Sequence, residues 1–125
     1  ICLKAKVLQI NKISKNEYIG YNQTYKTKKN ITVAILGIGY ADGISRLLSN
    51  KGYVYYKDIV FNIIGRISMD TITIDITKNN KLIKQGMYLE IINKKHGIDE
   101  IAKKCTTIPH EILTLIGKRV KRVYI

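Results

Sequence analysis

Isoleucine alternates with polar residues between Thr71 and Thr77, and this pattern limits the folds open to the chain. The segment reads Thr-Ile-Thr-Ile-Asp-Ile-Thr, so Ile72, Ile74 and Ile76 fall on one face of an extended chain. Side chains of a β-strand point alternately to the two faces of a sheet, and β-branched residues favour that conformation. The pattern therefore predicts a strand that buries one face and exposes the other.

Other segments extend this prediction to most of the chain. Five more are rich in β-branched or aromatic residues and bounded by turn formers, as strands are: 4–13, 31–36, 52–56, 59–64 and 87–92. Helix signals come only later, with a helix predicted over 99–105 and a second, opened by Pro109, over 109–116, before a last strand over 119–125. With 125 residues, enough for one domain, we expect a mainly β fold, a small β-barrel or sandwich, with two short helices near the C-terminus.

The charge of the chain raises the question of nucleic-acid binding. Twenty-two lysines and arginines against nine acidic residues give a formal net charge of +13. Only four of the basic residues are arginines, there is one Phe and there is no Trp, whereas nucleic-acid sites favour Arg and aromatic platforms. The bias toward Ile, Lys, Asn and Tyr is typical of an AT-rich coding sequence. We therefore interpret the charge mainly as a solvated lysine surface and consider nucleic acid an unlikely partner, with a basic β-barrel nucleic-acid-binding module as the alternative.

Several classes of protein are not indicated. No apolar run of about 18 residues is present, so we expect no transmembrane helix and no membrane partner. The chain begins Ile1-Cys2-Leu3-Lys4, without Met or a signal-peptide pattern, which suggests a piece of a longer protein. Cys2 and Cys105 have no metal-ligand spacing and cannot form a disulfide framework, which fits a reducing compartment. We expect no metal site.

Two loops combine residues that a simple turn does not need. The segment 37–43 carries three glycines in seven residues after a predicted buried strand, which allows positive φ and close backbone approach. The segment 65–70, Gly-Arg-Ile-Ser-Met-Asp, brings Arg66 near Asp70 and on its own predicts a loop with an ion pair. Four tyrosines also fall in or beside predicted loops: Tyr18, Tyr21, Tyr25 and Tyr40. Most tyrosines are packing groups, and one acts as a base only where its pKa is lowered.

Taken in order, the loops resemble one family. The series 19–25, 38–43, 64–70, 107–112 and 117–124 closely resembles the C-terminal domain of alanine racemase, a pyridoxal-phosphate enzyme of fold type III that interconverts L- and D-alanine. The pair Ile-Gly-Tyr-Ala-Asp-Gly and Gly-Arg-Ile-Ser-Met-Asp, at this separation, is specific, and the resemblance covers the whole chain.

The resemblance implies an architecture. The family domain is a small Greek-key-like β-barrel, here residues 1–125. It follows an N-terminal α/β barrel that holds pyridoxal 5'-phosphate on a lysine and is absent from this chain. In the family, head-to-tail homodimers combine one subunit's barrel with its partner's C-terminal domain in each active site. The implied enzyme is bacterial and cytoplasmic, and it supplies D-alanine for peptidoglycan precursors.

The resemblance also assigns roles to particular residues. Tyr21 matches the catalytic tyrosine that works opposite the barrel's lysine. Tyr40 and Met69 match substrate-binding residues, the second through its backbone N–H, and Arg66 and Asp70 match the corridor through which substrate arrives.

Two positions depart from the family pattern. Asn22 stands where a glycine usually follows the catalytic tyrosine, although Asn tolerates left-handed backbone better than most residues. His110 stands where many members have a tyrosine that contacts the cofactor phosphate, a role that histidine can still fill by donating a hydrogen bond.

The resemblance leaves the substrate open to one further alternative, a related fold-type-III amino-acid racemase or decarboxylase. The isolated chain lacks the cofactor lysine. We therefore expect it to be inactive and to bind no pyridoxal phosphate.

Overall fold

A computed structural model describes residues 2–19, 25–93, 95–97, 101 and 103, and most of them form antiparallel β-structure. The strands are β1 (Leu3–Ile13), β2 (Tyr18–Ile19), β3 (Tyr25–Lys26), β4 (Ile31–Leu36), β5 (Tyr53–Tyr56), β6 (Ile59–Asn62), β7 (Ile72–Asp75) and β8 (Tyr88–Ile92). Among the described residues, three short 3₁₀ turns lie between these strands, at Tyr40–Asp42, Arg46–Leu48 and Thr77–Asn79. The mainly β prediction is confirmed, and all six strands predicted before residue 93 are present with slightly different ends.

Six of the strands form one sheet, in the order β6-β5-β8-β1-β4-β7, with every pairing antiparallel. The long strand β1 occupies its middle and pairs with β8 through its first half and with β4 through its second, with a register shift between Val7 and Gln9. The two edges approach each other through an Ile63–Ile74 bridge and the Ile64 N–H, which donates to the Thr73 carbonyl at 2.9 Å. The sheet curls but is not closed by a continuous ladder.

The core lies inside this curl, and alternation along the strands builds it. Ile72 and Ile74 of β7 are buried between partly exposed Thr73 and Asp75, as the sequence pattern predicts. The strand β4 is buried on both faces instead: Ala34 and Leu36 join the main core while Val33 packs into a second, smaller apolar cluster. Its continuous apolar sequence follows from this double burial. Each fully buried isoleucine contributes about 1.5–3 kcal/mol to stability.

The C-terminal predictions fall mostly beyond the described residues. Ile101 and Lys103 have helical conformation, in agreement with the helix predicted over 99–105. The helix at 109–116 and the strand at 119–125 lie outside the part of the chain that the structure describes. Within that part, no helix is long and apolar enough to cross a membrane.

Candidate functional site

Two loops at the ends of β4 and β7 are joined by their backbones. The Tyr40 N–H donates to the Ser68 carbonyl and the Ala41 N–H donates to the Met69 carbonyl, each at 3.0 Å. The first loop leaves β4 and the second precedes β7, and these two strands are neighbours in the sheet. Sheet pairing therefore brings together the two segments that carry Tyr40 and Met69, which are 29 positions apart in the sequence.

Glycine is required at position 39 because the two loops lie so close. A Cβ atom added there would lie 2.4 Å from the Ser68 carbonyl oxygen and 2.5 Å from that of Met69. The backbone of Gly39 is extended, with φ −151° and ψ −163°, so the requirement is steric rather than conformational. Gly43, by contrast, has φ +99°, the left-handed region that favours glycine. The glycine-rich segment thus serves both purposes that its sequence predicts.

A buried carboxylate holds the Tyr40 turn in shape. Asp42 is only 4% exposed, and its Oδ2 accepts a hydrogen bond from the Gly39 N–H at 3.1 Å. In return the Asp42 N–H donates to the Gly39 carbonyl at 3.0 Å, and the Gly43 N–H donates to that of Tyr40 at 3.1 Å. These reciprocal bonds close a single turn that presents Tyr40, 40% exposed, at the surface.

The peptide group between Ser68 and Met69 has a defined direction. Its carbonyl accepts from the Tyr40 N–H, and no peptide bond described is cis. In a trans peptide the N–H and C=O point in opposite directions, so the Met69 N–H is directed away from the Tyr40 backbone. No acceptor within the described residues pairs with that N–H, and Met69 is 53% exposed. An oriented N–H of this kind on an exposed residue can bind an anion.

A third segment fixes the Met69 loop from the other side. The Gly65 N–H donates to Asn50 Oδ1 at 2.6 Å, and the Ile67 N–H donates to Ser49 Oγ at 2.9 Å. The same segment carries Arg46, whose guanidinium carbon lies 5.6 Å from the centre of the Tyr40 ring, within the range of a cation–π contact. Three loops, 39–43, 46–50 and 65–70, are therefore cross-linked into one surface.

Arg66 and Asp70 are both exposed on the last of these loops. The loop that the sequence predicts is present, but the ion pairs found between described residues do not include Arg66 with Asp70. They consist of Lys95 with Asp58, whose N and O atoms lie 3.1 Å apart. The turn is closed instead by Ser68 and Thr71, whose side-chain oxygens lie 2.8 Å apart, with the Ser68 N–H donating to the Thr71 carbonyl.

Two of the predicted site residues, Tyr21 and His110, lie outside the described residues. The chain on either side of 20–24 forms a small hairpin, in which Tyr18 pairs with Lys26 and Ile19 with Tyr25. The structure therefore unites Tyr40, Met69, Arg66 and Asp70 and describes the hairpin that leads to Tyr21. Across the residues it describes, no group of three His, Cys, Asp or Glu side chains could hold a metal ion.

Sequence reasoning missed two contributors to this surface, Asp42 and Arg46. Asp42 belongs to the Tyr40 motif, but a single carboxylate in a loop gives no sign that it will be buried. Arg46 lies six positions after Tyr40, and its side chain comes over the ring because one tight turn begins at Tyr40 and the next begins at Arg46. The sequence does contain one sign of the turn that begins at Arg46. Ser45 precedes it, and its Oγ accepts a hydrogen bond from the Leu47 N–H at 3.2 Å.

Comparison with known proteins gives a consistent result. The family model described as "Alanine racemase, C-terminal domain" matches residues 1–124. The alanine racemase of Brucella canis is 40% identical over all of this chain, which covers 32% of that protein, and that of Rickettsia akari is 43% identical with 36% covered. Among solved structures, alanine racemase from Bartonella henselae with covalently bound pyridoxal phosphate has a TM-score of 0.93 and 43% identity over 98% of this chain and 34% of its own. Alanine racemase of Clostridium difficile in complex with cycloserine gives 0.90 and 36% identity over 99% of this chain and 33% of its own.

The fold and the joined loops define a β domain of the kind that forms part of a larger enzyme. The chain spans about a third of the length of the relatives it matches. It belongs to the alanine racemase C-terminal domain family.

Proposed function

We propose that the full-length protein is a pyridoxal-phosphate-dependent alanine racemase and that this domain completes the active site of the partner subunit in a head-to-tail homodimer. The match of the family model to nearly the whole chain carries the proposal. An N-terminal α/β barrel, outside this chain, would hold the cofactor, and the reaction would supply D-alanine for peptidoglycan precursors in the bacterial cytoplasm.

Racemisation requires a proton to leave one face of the substrate's Cα and another to arrive on the opposite face. Bound pyridoxal phosphate would supply the electron withdrawal that weakens the Cα–H bond. Tyr21 would exchange the proton on one face, and a lysine of the barrel would do so on the other. A tyrosine has an ordinary pKa of about 10, so Tyr21 would need cationic partners from the barrel to work near neutral pH.

The Met69 loop supports binding of the substrate's carboxylate. Met69 is 53% exposed, and its N–H lacks an acceptor in the described part of the chain and is held in direction by the bond from Tyr40 to the preceding carbonyl. A backbone donor of this kind fits an anionic carboxylate. Tyr40 would contact the same end of the substrate.

The exposed charges beside this loop support a role in substrate access. Arg66 and Asp70 lie on the Met69 loop itself, and Arg46 reaches the surface by lying over the Tyr40 ring. The arginines of these two loops would attract the carboxylate of an incoming amino acid. His110 would donate a hydrogen bond to the cofactor phosphate.

The test uses the purified full-length enzyme and measures conversion of L-alanine to D-alanine. Removal of a general base costs about 10²- to 10⁴-fold in rate, so Tyr21→Phe should lower kcat by that factor. Tyr56→Phe is the matched control, because Tyr56 lies at the β5–β6 turn beside Lys57 and should keep full activity after losing the same hydroxyl.

Three results would count against the proposal. A full-length enzyme that racemises serine or decarboxylates an amino acid but does not racemise alanine would refute the substrate assignment. Equal activity of the Tyr21→Phe and Tyr56→Phe variants would refute the role of Tyr21. The 125-residue chain alone should show neither activity nor the absorbance of bound pyridoxal phosphate, and salt-sensitive nucleic-acid retention by that chain in filter binding would favour the alternative function.

A further inference from the structure

We propose that Thr27 is a positioning residue for Tyr21, because its buried hydroxyl fixes the base of the β2–β3 hairpin. The inference rests on the proposed function, in which Tyr21 exchanges a proton with the substrate. Tyr21 belongs to the segment that connects β2 to β3, and Thr27 is the first residue after β3.

The hairpin is short. Its strands are two residues long and, among the described residues, pair with each other in a two-stranded sheet apart from the six-stranded one. An isolated two-stranded hairpin is marginally stable in water. The direction in which the hairpin points therefore depends on how its base is attached.

Thr27 makes that attachment. It is 1% exposed, although all residues from 14 to 17 across from it are exposed. Its Oγ1 donates to the Ser14 carbonyl at 2.7 Å and accepts from the Glu17 N–H at 3.0 Å. Its own N–H donates to the Glu17 carbonyl and its carbonyl accepts from the Asn16 N–H, both at 2.8 Å. One residue thus ties the turn after β1 to the strand that returns from Tyr21.

The hydroxyl is the part of this attachment that a substitution can remove. Without it, the Glu17 N–H and the Ser14 carbonyl keep only their bond to each other, at 3.3 Å, in a turn where Asn16 has a left-handed φ of +70°. The turn thereby loses its side-chain hydrogen bonds to Thr27. The backbone bonds of Thr27 then hold the hairpin less rigidly.

A change at the base of the hairpin bears on the catalytic tyrosine because the two are close in the sequence. Tyr21 lies four positions after Glu17. A 1 Å misplacement of a catalytic group can cost about 100-fold in rate. Thr27 is therefore expected to affect the rate of proton transfer rather than substrate binding.

The experiment compares Thr27→Val, Thr27→Ser and Thr77→Val in the full-length enzyme. Valine keeps the shape of threonine without the hydroxyl, and serine restores the hydroxyl. Thr77 is the matched control, since its Oγ1 also accepts a backbone N–H, from Thr32 at 3.1 Å, and donates to a side chain, Asp75, but it lies beside the six-stranded sheet. For each variant, kcat, KM and the primary deuterium isotope effect are measured with α-deuterated L-alanine and D-alanine.

Thr27→Val should lower kcat by about 10- to 100-fold with KM little changed. The isotope effect should rise for the enantiomer whose α-hydrogen Tyr21 removes and fall for the other, because only one of the two proton transfers has become slow. Thr27→Ser should return kcat to within about threefold of wild type, and Thr77→Val should leave both isotope effects unchanged.

A loss of kcat in Thr27→Val without any change in the isotope effects would overturn the proposal. That result would mean that the variant contains less folded enzyme, because less folded enzyme lowers the measured rate without changing which proton transfer limits it. If the valine variant does not fold, Thr27→Ala should show the same isotope signature, since alanine also lacks the hydroxyl and cannot clash with the turn. Unchanged isotope effects in that variant would also overturn it. Failure of the proposed function is distinguishable, since the wild-type enzyme would then not racemise alanine at all.

Discussion

Replacing Gly39 with alanine should separate the two loops that carry Tyr40 and Met69. The added Cβ would lie 2.4–2.6 Å from three atoms of the 68–69 backbone, and backbone cannot rotate away as a side chain can. The backbone angles of Gly39 suit alanine, so the cost is entirely that of moving the loops apart.

The magnitude follows from what that separation breaks. The Tyr40 and Ala41 N–H groups would lose their bonds to the 68–69 carbonyls, at about 1 kcal/mol each, and overpacking adds about 1–3 kcal/mol. Since alanine also lowers the entropy of the unfolded chain, we expect a net loss of about 2–4 kcal/mol in the free energy of unfolding. Unfolding entropies of about 2.1 cal/mol/K per residue convert this into a fall of about 8–15 °C in Tm for 125 residues.

Thermal and urea unfolding of the 125-residue chain, followed by circular dichroism, measures this effect. Gly97→Ala is the matched control, because nothing lies within 4 Å of the added Cβ and its φ is not in the left-handed region, so its Tm should stay within a few degrees of wild type. In the full-length enzyme, Gly39→Ala should also raise KM for alanine through displacement of the Met69 N–H. Equal Tm values for the Gly39→Ala and Gly97→Ala chains would refute the steric reasoning.

Two further predictions concern single side chains. Asp42→Ala removes the acceptor of the buried Gly39 N–H and should lower the free energy of unfolding by about 1–3 kcal/mol, measured by urea titration, whereas an unchanged midpoint would show that water replaces the carboxylate. Burial, and then the Glu90 carboxylate that accepts from the Cys2 thiol at 3.2 Å, raise the pKa of that thiol. Glu90→Gln should therefore lower the pKa of the Cys2 thiol and speed its alkylation below pH 9. Peptide mass spectrometry measures the rate, with Cys105 as internal reference, and a slower reaction in the variant would contradict this electrostatic account.

The strands could be predicted because their signal is local. The alternation over 71–77 places Ile72 and Ile74 in the core, and the apolar run 31–36 coincides with β4. The β2–β3 hairpin could not be predicted in the same way, because two-residue strands are too short to show a period. Its base is bonded through Thr27 to the turn after β1, and the burial of Thr27 accompanies contacts with that turn rather than with its neighbours in sequence.

The candidate site, like the fold, could be predicted from the sequence only in part. Its glycines are visible in the sequence, but which of them is needed for space depends on carbonyl groups 29 positions away, so Gly39 and Gly43 could not be told apart. The contact of Arg46 with Tyr40 is likewise set by two turns and by the bonds of the intervening backbone. The resemblance to a family identified the loops as a set, whereas their joining required the pairing of β4 with β7.

The Met69 loop and the hairpin that leads to Tyr21 are attached to the domain in different ways, so substitutions in the two should have different effects. The Met69 loop is bonded to two other loops and continues into β7, so a substitution that moves it must also disturb the sheet. Among the described residues, the β2–β3 hairpin that leads to Tyr21 pairs outside the six-stranded sheet and is bonded to the turn after β1. If both support the same reaction, defects in the first should lower stability and substrate binding together. Defects in the second should slow proton transfer while stability and KM change little, so the two kinds of variant can be separated by measuring Tm, KM and kcat on the same proteins.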